Sequence, residues 1–540
     1  MKRCHTIGPL LCFQLFLIVC SAMIYAESAF GPEKPVYGGV YRAPLRNNPP
    51  SLDPAYAQDI HATEVIQQVF DGLVQLSPEL FVTPALAKNW AVEEKGKTYK
   101  FFLREDAKFH DGTPVTAADV VFSLSRLLRV TPSLTILPHI SRISGAKEYM
   151  EGRSDRVTGL EVVDKHTVVI RLEQPYAPFL VALGMYQAKI VPREIVEKDQ
   201  SRFGREPIGS GPFQFVSWEP DKILKLKNFA DYFGGRPFLD AIEFVIYPGA
   251  QSDKTWADFE SGKLEQMPVY GDIREKAKNK KGIVLAHRPS LSLLFYGFNC
   301  RNEWLQNADL RAALSLAIDR EELVMAVYGG QFEAANGVLP PGLPGHRPNS
   351  HQTLYDPEKA RQQLLKAVGR DPGQLGEIEI VSNSQSPFAQ AELELVGKAW
   401  EQLGVKMKPK FITDWSQFKQ YLNSSAIQVY RMAWYADMPD PDDVLRPLFA
   451  SNSPSNYMKY HDETIDRMLQ EGLEIVDPLQ RAGFYQQLED SVLAAHPLAP
   501  LLYLSNDFAY QDYVQGVQLS ALGVTNLSFR SIWLNRPSTN

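Results

Sequence analysis

Residues 108–128 read KFHDGTPVTAADVVFSLSRLL, and the folding of this stretch decides how its surroundings are read. His110 stands beside Asp111, which could suggest acid–base chemistry. Asp111-Gly112 is, however, a turn dipeptide, because glycine takes positive φ without steric cost. Thr116 and Asp119 have capping-box spacing at a helix start. Val120, Val121, Leu124, Leu127 and Leu128 then recur at helical spacing. Upstream, KTYKFFLRED (97–106) reads as a strand. The unit is strand, turn and capped helix. His110 and Asp111 are expected to be a strand end and a turn, since adjacent strand residues point to opposite faces.

The chain has 540 residues, 44% hydrophobic and 22% charged, an ordinary globular composition with length for roughly two to four domains. Residues 1–26 read as a secretory signal: Lys2 and Arg3, a mostly apolar run from Ile7 to Ala26, then a cleavage point after Ala26. An uncleaved anchor stays open, because the run is nearly long enough to span a bilayer. So does a weak lipoprotein-like box ending at Cys20. No later segment is long and apolar enough to span, so the rest is expected to be exported and soluble. Cys4, Cys12 and Cys20 fall in the leader, which leaves Cys300 alone in the mature chain. That excludes an intramolecular disulfide and a multi-cysteine zinc site. Without Lys2 and Arg3, 54 basic side chains face 63 acidic ones, a net charge of −9, which disfavours nucleic acid as a partner.

The stretch and what precedes it, FDGLVQLSPELFVTPALAKNWAVEEKGKTYKFFLRED (70–106), resemble the extracytoplasmic solute-binding proteins of peptide and nickel ABC importers. The resemblance continues through IGSGPFQFVSWEPDKILKLKNFADYFGGRPFLDAIEFVIYP (208–248), LRAALSLAIDREELV (310–324), YDPEKARQQLLKAVG (355–369) and WYADMPDPDDVLRPLFAS (434–451). It implies an α/β, two-lobed periplasmic-binding-protein fold with an additional domain, the lobes joined by crossing segments and the ligand held between them. On that basis the first lobe is expected at 30–70, 206–296 and 501–540, the additional domain at 71–205 and the second lobe at 297–500. It also implies capture of peptides in the periplasm and delivery to a membrane permease, by a protein expected to be a monomer.

Beyond Asn299 a strand-rich pattern gives way to helices alternating with strands. Leu310–Val324 reads as one helix. Asp356 caps another that begins at Pro357 and ends at Gly369. GEIEIVSN (376–383) and VKMKPKF (405–411) read as strands flanking a helix at Ala389–Leu403.

In open α/β sheets, ligands sit beyond the carboxyl ends of strands. Two loops take that position here, Ser382–Pro387 and YADMPDPDD (435–443). Within the second, Asp440, Asp442 and Asp443 fit helix-capping and first-turn roles. Asp437 has no such local duty, and in a closing cleft it would be costly to desolvate without a cation. The resemblance agrees: in peptide binders of this family an aspartate after this strand holds the α-amino group, and Trp434 and Asp437 match its W-x-x-D arrangement. Arg431 matches a position in oligopeptide binders. Trp434 and Tyr435 are ligand contacts or core aromatics, and Gln58, Asp59 and Ile60 match a segment that lines the cleft. Ser384 and Gln385 offer neutral hydrogen bonds. Dipeptide binders carry an arginine near the loop corresponding to Ser382–Pro387, and SNSQSP has none, which favours longer peptides or another ligand.

Neither a cofactor nor a metal is expected, since the ten histidines are scattered. HExxH, G-x-S-x-G and P-loop patterns are absent, so catalysis is not expected. The alternatives are a nickel chelate, haem or oligosaccharide as cargo and, in another class, an exported hydrolase using Asp437 and Asp440.

Overall fold

The stretch at 108–128 folds as a turn feeding a helix, Ala117–Leu127. The Asp119 carboxylate reaches back to the Thr116 N–H at 3.0 Å, so the capping box forms. Ala117, Val120, Leu124 and Leu127 face inward. They cover a four-stranded antiparallel sheet made of Ala87–Glu93, Thr98–Leu103, Thr167–Arg171 and Leu160–Asp164, with which they share one apolar core. These coordinates are a computed structural model that describes residues 34–131, 134–249, 251–348, 355–369 and 372–536. The expected leader at 1–26 lies outside the described residues.

A second sheet of four strands orders Val40–Leu45, Ala241–Ile246, Ile223–Asn228 and Phe213–Glu219, the first pair parallel and the rest antiparallel. On Ile223–Asn228, Leu224 and Leu226 are buried while Lys225 and Lys227 turn outward, as strand alternation requires. Beside it lies a three-stranded antiparallel sheet, Gln266–Pro268, Ser505–Gln511 and Ile283–Pro289. A mixed six-stranded sheet orders Glu333–Ala334, Leu498–Tyr503, Ser292–Phe298, Val429–Tyr435, Glu377–Ser382 and Lys406–Phe411. Separate apolar cores cover its two faces.

The three- and six-stranded sheets are joined by two very short connections. Ile283–Pro289 passes through Ser290 and Leu291 into Ser292–Phe298, and Leu498–Tyr503 passes through Leu504 into Ser505–Gln511. The two crossings are tied to each other. The Ser290 N–H donates to the Leu504 carbonyl at 2.8 Å, and its hydroxyl donates to the same carbonyl at 3.0 Å.

Most local expectations hold. Asp356 caps Pro357–Val368, and Gly369 ends that helix at φ +73°. The helix expected at Ala389–Leu403 runs Pro387–Gln402, with Ser386 as its cap. The strands on either side of it pair in parallel. Leu310–Val324 is not one helix: Ala308–Leu316 ends, and Asp319 caps a new turn at Arg320–Glu322 that widens into an i→i+5 stretch, Leu323–Val327. The cause is Arg320, whose buried guanidinium donates to the Ile318 carbonyl at 2.8 Å and the Pro500 carbonyl at 2.6 Å. Carbonyls left over at the helix end are satisfied by that side chain.

His110 proves more than a strand end. Its Nε2 donates to the Gly211 carbonyl at 2.9 Å, and its Nδ1 accepts from the Gly209 N–H at 3.2 Å. The ring meets Phe229 edge-on at 5.1 Å. Gly209 and Gly211 must be glycine, because a Cβ there would stand 1.9 Å from the Val69 carbonyl oxygen and 2.6 Å from its carbon, respectively. The ring thus staples the 109–113 turn to the loop that enters Phe213–Glu219. Burial lowers its pKa from 6.5 to about 4. The stability contributed by the neutral ring is complete above pH 6.5 and is lost as pH falls toward 4. His110→Ala should lower stability at pH 7 by about 1–3 kcal/mol, because it strands two backbone groups. It should also flatten the acid side of a denaturant-unfolding series, while ligand affinity stays near wild type.

Candidate functional site

A cavity of about 480 Å³ opens where the crossings meet, with Ser290, Leu291, Ser505 and Asn506 at its back. That volume lies in the range of small-ligand sites. One wall comes from the second sheet and the helix after it: Arg46, just past the carboxyl end of Val40–Leu45, with Ile60, His61 and Glu64 on Ile60–Val69. Tyr270 continues that wall beyond the edge strand Gln266–Pro268. The facing wall is Tyr435, Ala436 and Asp437, at the carboxyl end of Val429–Tyr435 in the six-stranded sheet. Tyr186 closes one side.

The loop after Tyr435 divides its acids between structure and cavity. Asp440 pairs with Arg481 at 2.7 Å, and both are buried. Asp442 pairs with Arg446 at 2.7 Å and accepts from the Tyr485 hydroxyl at 2.8 Å. Asp443 reaches back along the loop, where its Oδ2 accepts the Asp437 N–H at 2.6 Å and the Met438 N–H at 3.3 Å. That brace sets the backbone from which the Asp437 side chain leaves. Among the described residues neither a cation nor a hydrogen-bond donor meets the Asp437 carboxylate. Its surroundings raise its pKa by desolvation. Desolvation, then the charge of Asp437, pushes Asp443 up to about 7.

Strand alternation separates two neighbouring aromatics. Trp434 turns inward, and its indole N–H donates to the Asp443 carbonyl at 3.0 Å, which fixes the loop. Tyr435 turns into the cavity and stays 60% exposed. Ile60, 53% exposed, lies in the opposite wall. Asp59 caps the helix that carries Ile60, its Oδ1 accepting from His61 and Ala62 N–H. Gln58 precedes it on the surface.

Other expected contacts are not brought here. Arg431 was expected to face a ligand. Instead its guanidinium is spent on Glu392, with Nε at 2.8 Å and Nη2 at 2.9 Å. Glu392 is fully buried and also accepts from the hydroxyls of Tyr296 and Tyr328. Ser384 and Gln385 lie outside the cavity wall. Ser384 bonds within its own turn, to Ser382 and Ser386, and the Gln385 carbonyl accepts from Gln390.

Arg46, His61, Glu64 and Tyr270 were missed. His61 and Glu64 are three apart just after a helix cap, and so share a face. Arg46 follows the carboxyl end of a strand, where ligands gather. Both signals were present, but neither says which strand end opens on the cavity. Burial raises Glu64 to about 8, which keeps it protonated near neutral pH. Burial, and less strongly Arg46, lowers His61. The described residues contain no group of three or more His, Cys, Asp or Glu able to hold a metal ion, and no helix long and apolar enough to cross a membrane.

The model of the bacterial extracellular solute-binding proteins, family 5 (middle), matches residues 82–456. The dipeptide-binding protein of Escherichia coli K12 is 29% identical over 466 residues, covering 82% of this chain and 84% of that protein. Heme-binding protein A of Haemophilus influenzae is 28% identical over 477 residues, covering 85% of each. The structure of HbpA2 from Haemophilus parasuis superposes with a TM-score of 0.80 at 26% identity, over 92% of this chain and all of that one.

The Arg431–Glu392 pair carries a prediction. Arg431→Met should cost about 3–5 kcal/mol in urea unfolding, because it leaves a buried carboxylate without its cation. Arg431→Met combined with Glu392→Leu should recover part of that loss.

Proposed function

From the premise that the chain belongs to the bacterial extracellular solute-binding proteins of family 5, we propose that it captures peptides outside the cytoplasmic membrane and hands them to the permease of an ABC importer. One observation carries the reading: Asp437, unpaired among the described residues, stands in the wall of the cavity between the lobes. Asp437 is open to solvent in this structure, and a ligand that covers its carboxylate must bring a cation to offset the water it displaces. A peptide's α-ammonium supplies one, in a charge-assisted hydrogen bond worth about 1.5–3 kcal/mol.

The rest of the cavity suits the same cargo. The edge strand Gln266–Pro268 borders it, and an extended peptide pairs with a sheet edge through its backbone, whatever its side chains. Closure follows when the ligand's contacts are better made with the lobes together. The protein acts as a monomer and releases its ligand unchanged. The hydrolase alternative took Asp437 and Asp440 as its pair, but Asp440 is buried against Arg481.

One observation favours a second cargo. His61, its pKa lowered by burial, offers a neutral imidazole to the cavity, which is the form that binds a metal. A haem or nickel chelate would show itself as a Soret band or as stoichiometric metal in freshly purified protein, whereas a peptide cargo would appear as retained mass in native mass spectrometry.

Asp437→Asn should weaken peptide affinity about 10- to 100-fold by calorimetry, with the recovered peptide intact by mass spectrometry. Full affinity in that variant would remove the basis of the reading. Ionised Asp437 is the form that binds an ammonium, and its pKa and that of Asp443 are both raised. Wild-type affinity should therefore fall as pH is lowered and Asp437 takes up a proton, beginning at a higher pH than for an ordinary aspartate, and Asp437→Asn should abolish most of that dependence.

A further inference from the structure

Arg46 is the charge in this cavity that the peptide-ammonium reading leaves unused. It leaves the carboxyl end of Val40–Leu45 and lies over the Tyr270 ring, 5.0 Å from its centroid. Among the described residues no carboxylate stands within ion-pairing distance of it. The nearest acid in that wall does not cancel its charge, because burial raises Glu64 to about 8. Asp437, the opposite charge in the same cavity, belongs to the other lobe, and the two do not pair. One cavity of about 480 Å³ thus presents a guanidinium without a carboxylate from one lobe and a carboxylate without a cation from the other.

We propose that Arg46 receives the ligand's carboxylate, so that the cargo is a short peptide with both ends free, its ammonium on Asp437 and its C-terminus on Arg46. The planar guanidinium offers two parallel N–H donors, the geometry that grips a carboxylate in bidentate fashion. This inference rests on the peptide reading and deepens it. The Ser382–Pro387 loop of the second lobe carries no arginine, and the first lobe supplies the guanidinium donor in its place. A zwitterion held this way touches both lobes with charge-assisted bonds, so its own dipole favours closure. Peptides whose C-terminus lies far beyond the cavity would gain nothing from Arg46.

The test uses di-, tri- and tetra-alanine, each as free peptide, as C-terminal amide and as N-acetyl peptide. Binding is measured by calorimetry to the full mature chain and to Arg46→Gln. In wild type, amidation should weaken the best binder about 10- to 100-fold. In Arg46→Gln the free acid and the amide should bind alike, while N-acetylation still weakens binding through Asp437. If amidation costs wild type nothing, or if Arg46→Gln still prefers the free acid, the inference falls and the peptide reading stands. If wild type binds none of the peptides, both fall. Amidation changes only the peptide, so the wild-type comparison holds even if Arg46→Gln folds poorly.

Discussion

Two crossings, each joining a strand of one sheet to a strand of another, set the constraint on which this molecule depends. The chain crosses from the three-stranded to the six-stranded sheet through Ser290–Leu291 and returns through Leu504, and the Ser290–Leu504 hydrogen bonds lock the crossings side by side. The six-stranded sheet buries two cores of its own, and the three-stranded sheet packs into others. Between them a cavity remains, with the crossings at its back. Residues that enter it do so from opposite walls, and a single ligand can touch both.

A cavity built this way makes unpaired charge affordable only where something will neutralise it. In the loop after Tyr435, Asp440 and Asp442 hold Arg481 and Arg446, and Asp443 braces the backbone. These contacts shape the loop and leave Asp437 as the acid directed at the cavity. Arg46 is its counterpart across the gap. The proposed ligand completes two half-made ion pairs that the fold keeps apart.

Much of the fold was legible locally. Thr116 with Asp119, Asp356 with Pro357 and Gly369, and the alternation at Leu224–Lys227 each encode their own structure, because the interacting groups lie within a few residues. The break after Leu316 was not legible, since it depends on Arg320 reaching the Pro500 carbonyl, 180 residues away. Trp434 and Tyr435 were undecided between core and ligand. The strand separates them by face, but which face meets the cavity depends on sheet packing.

The candidate site divides along the same line. By itself the sequence set Asp437 apart as the loop acid without a local duty, but the capping roles it gave Asp440 and Asp443 are not the ones they take: Pro441 holds the cap position, Asp440 pairs with Arg481, and Asp443 accepts the Asp437 and Met438 N–H groups. The sequence also placed the loop at a strand's carboxyl end. Only the tertiary structure decided that Arg431 is spent on Glu392, 39 residues away, and that Arg46 is left without a carboxylate. The reason is physical. A helix cap is satisfied by neighbours in the chain, whereas a buried charge is satisfied by whatever the fold brings within hydrogen-bonding distance, and no local pattern records that.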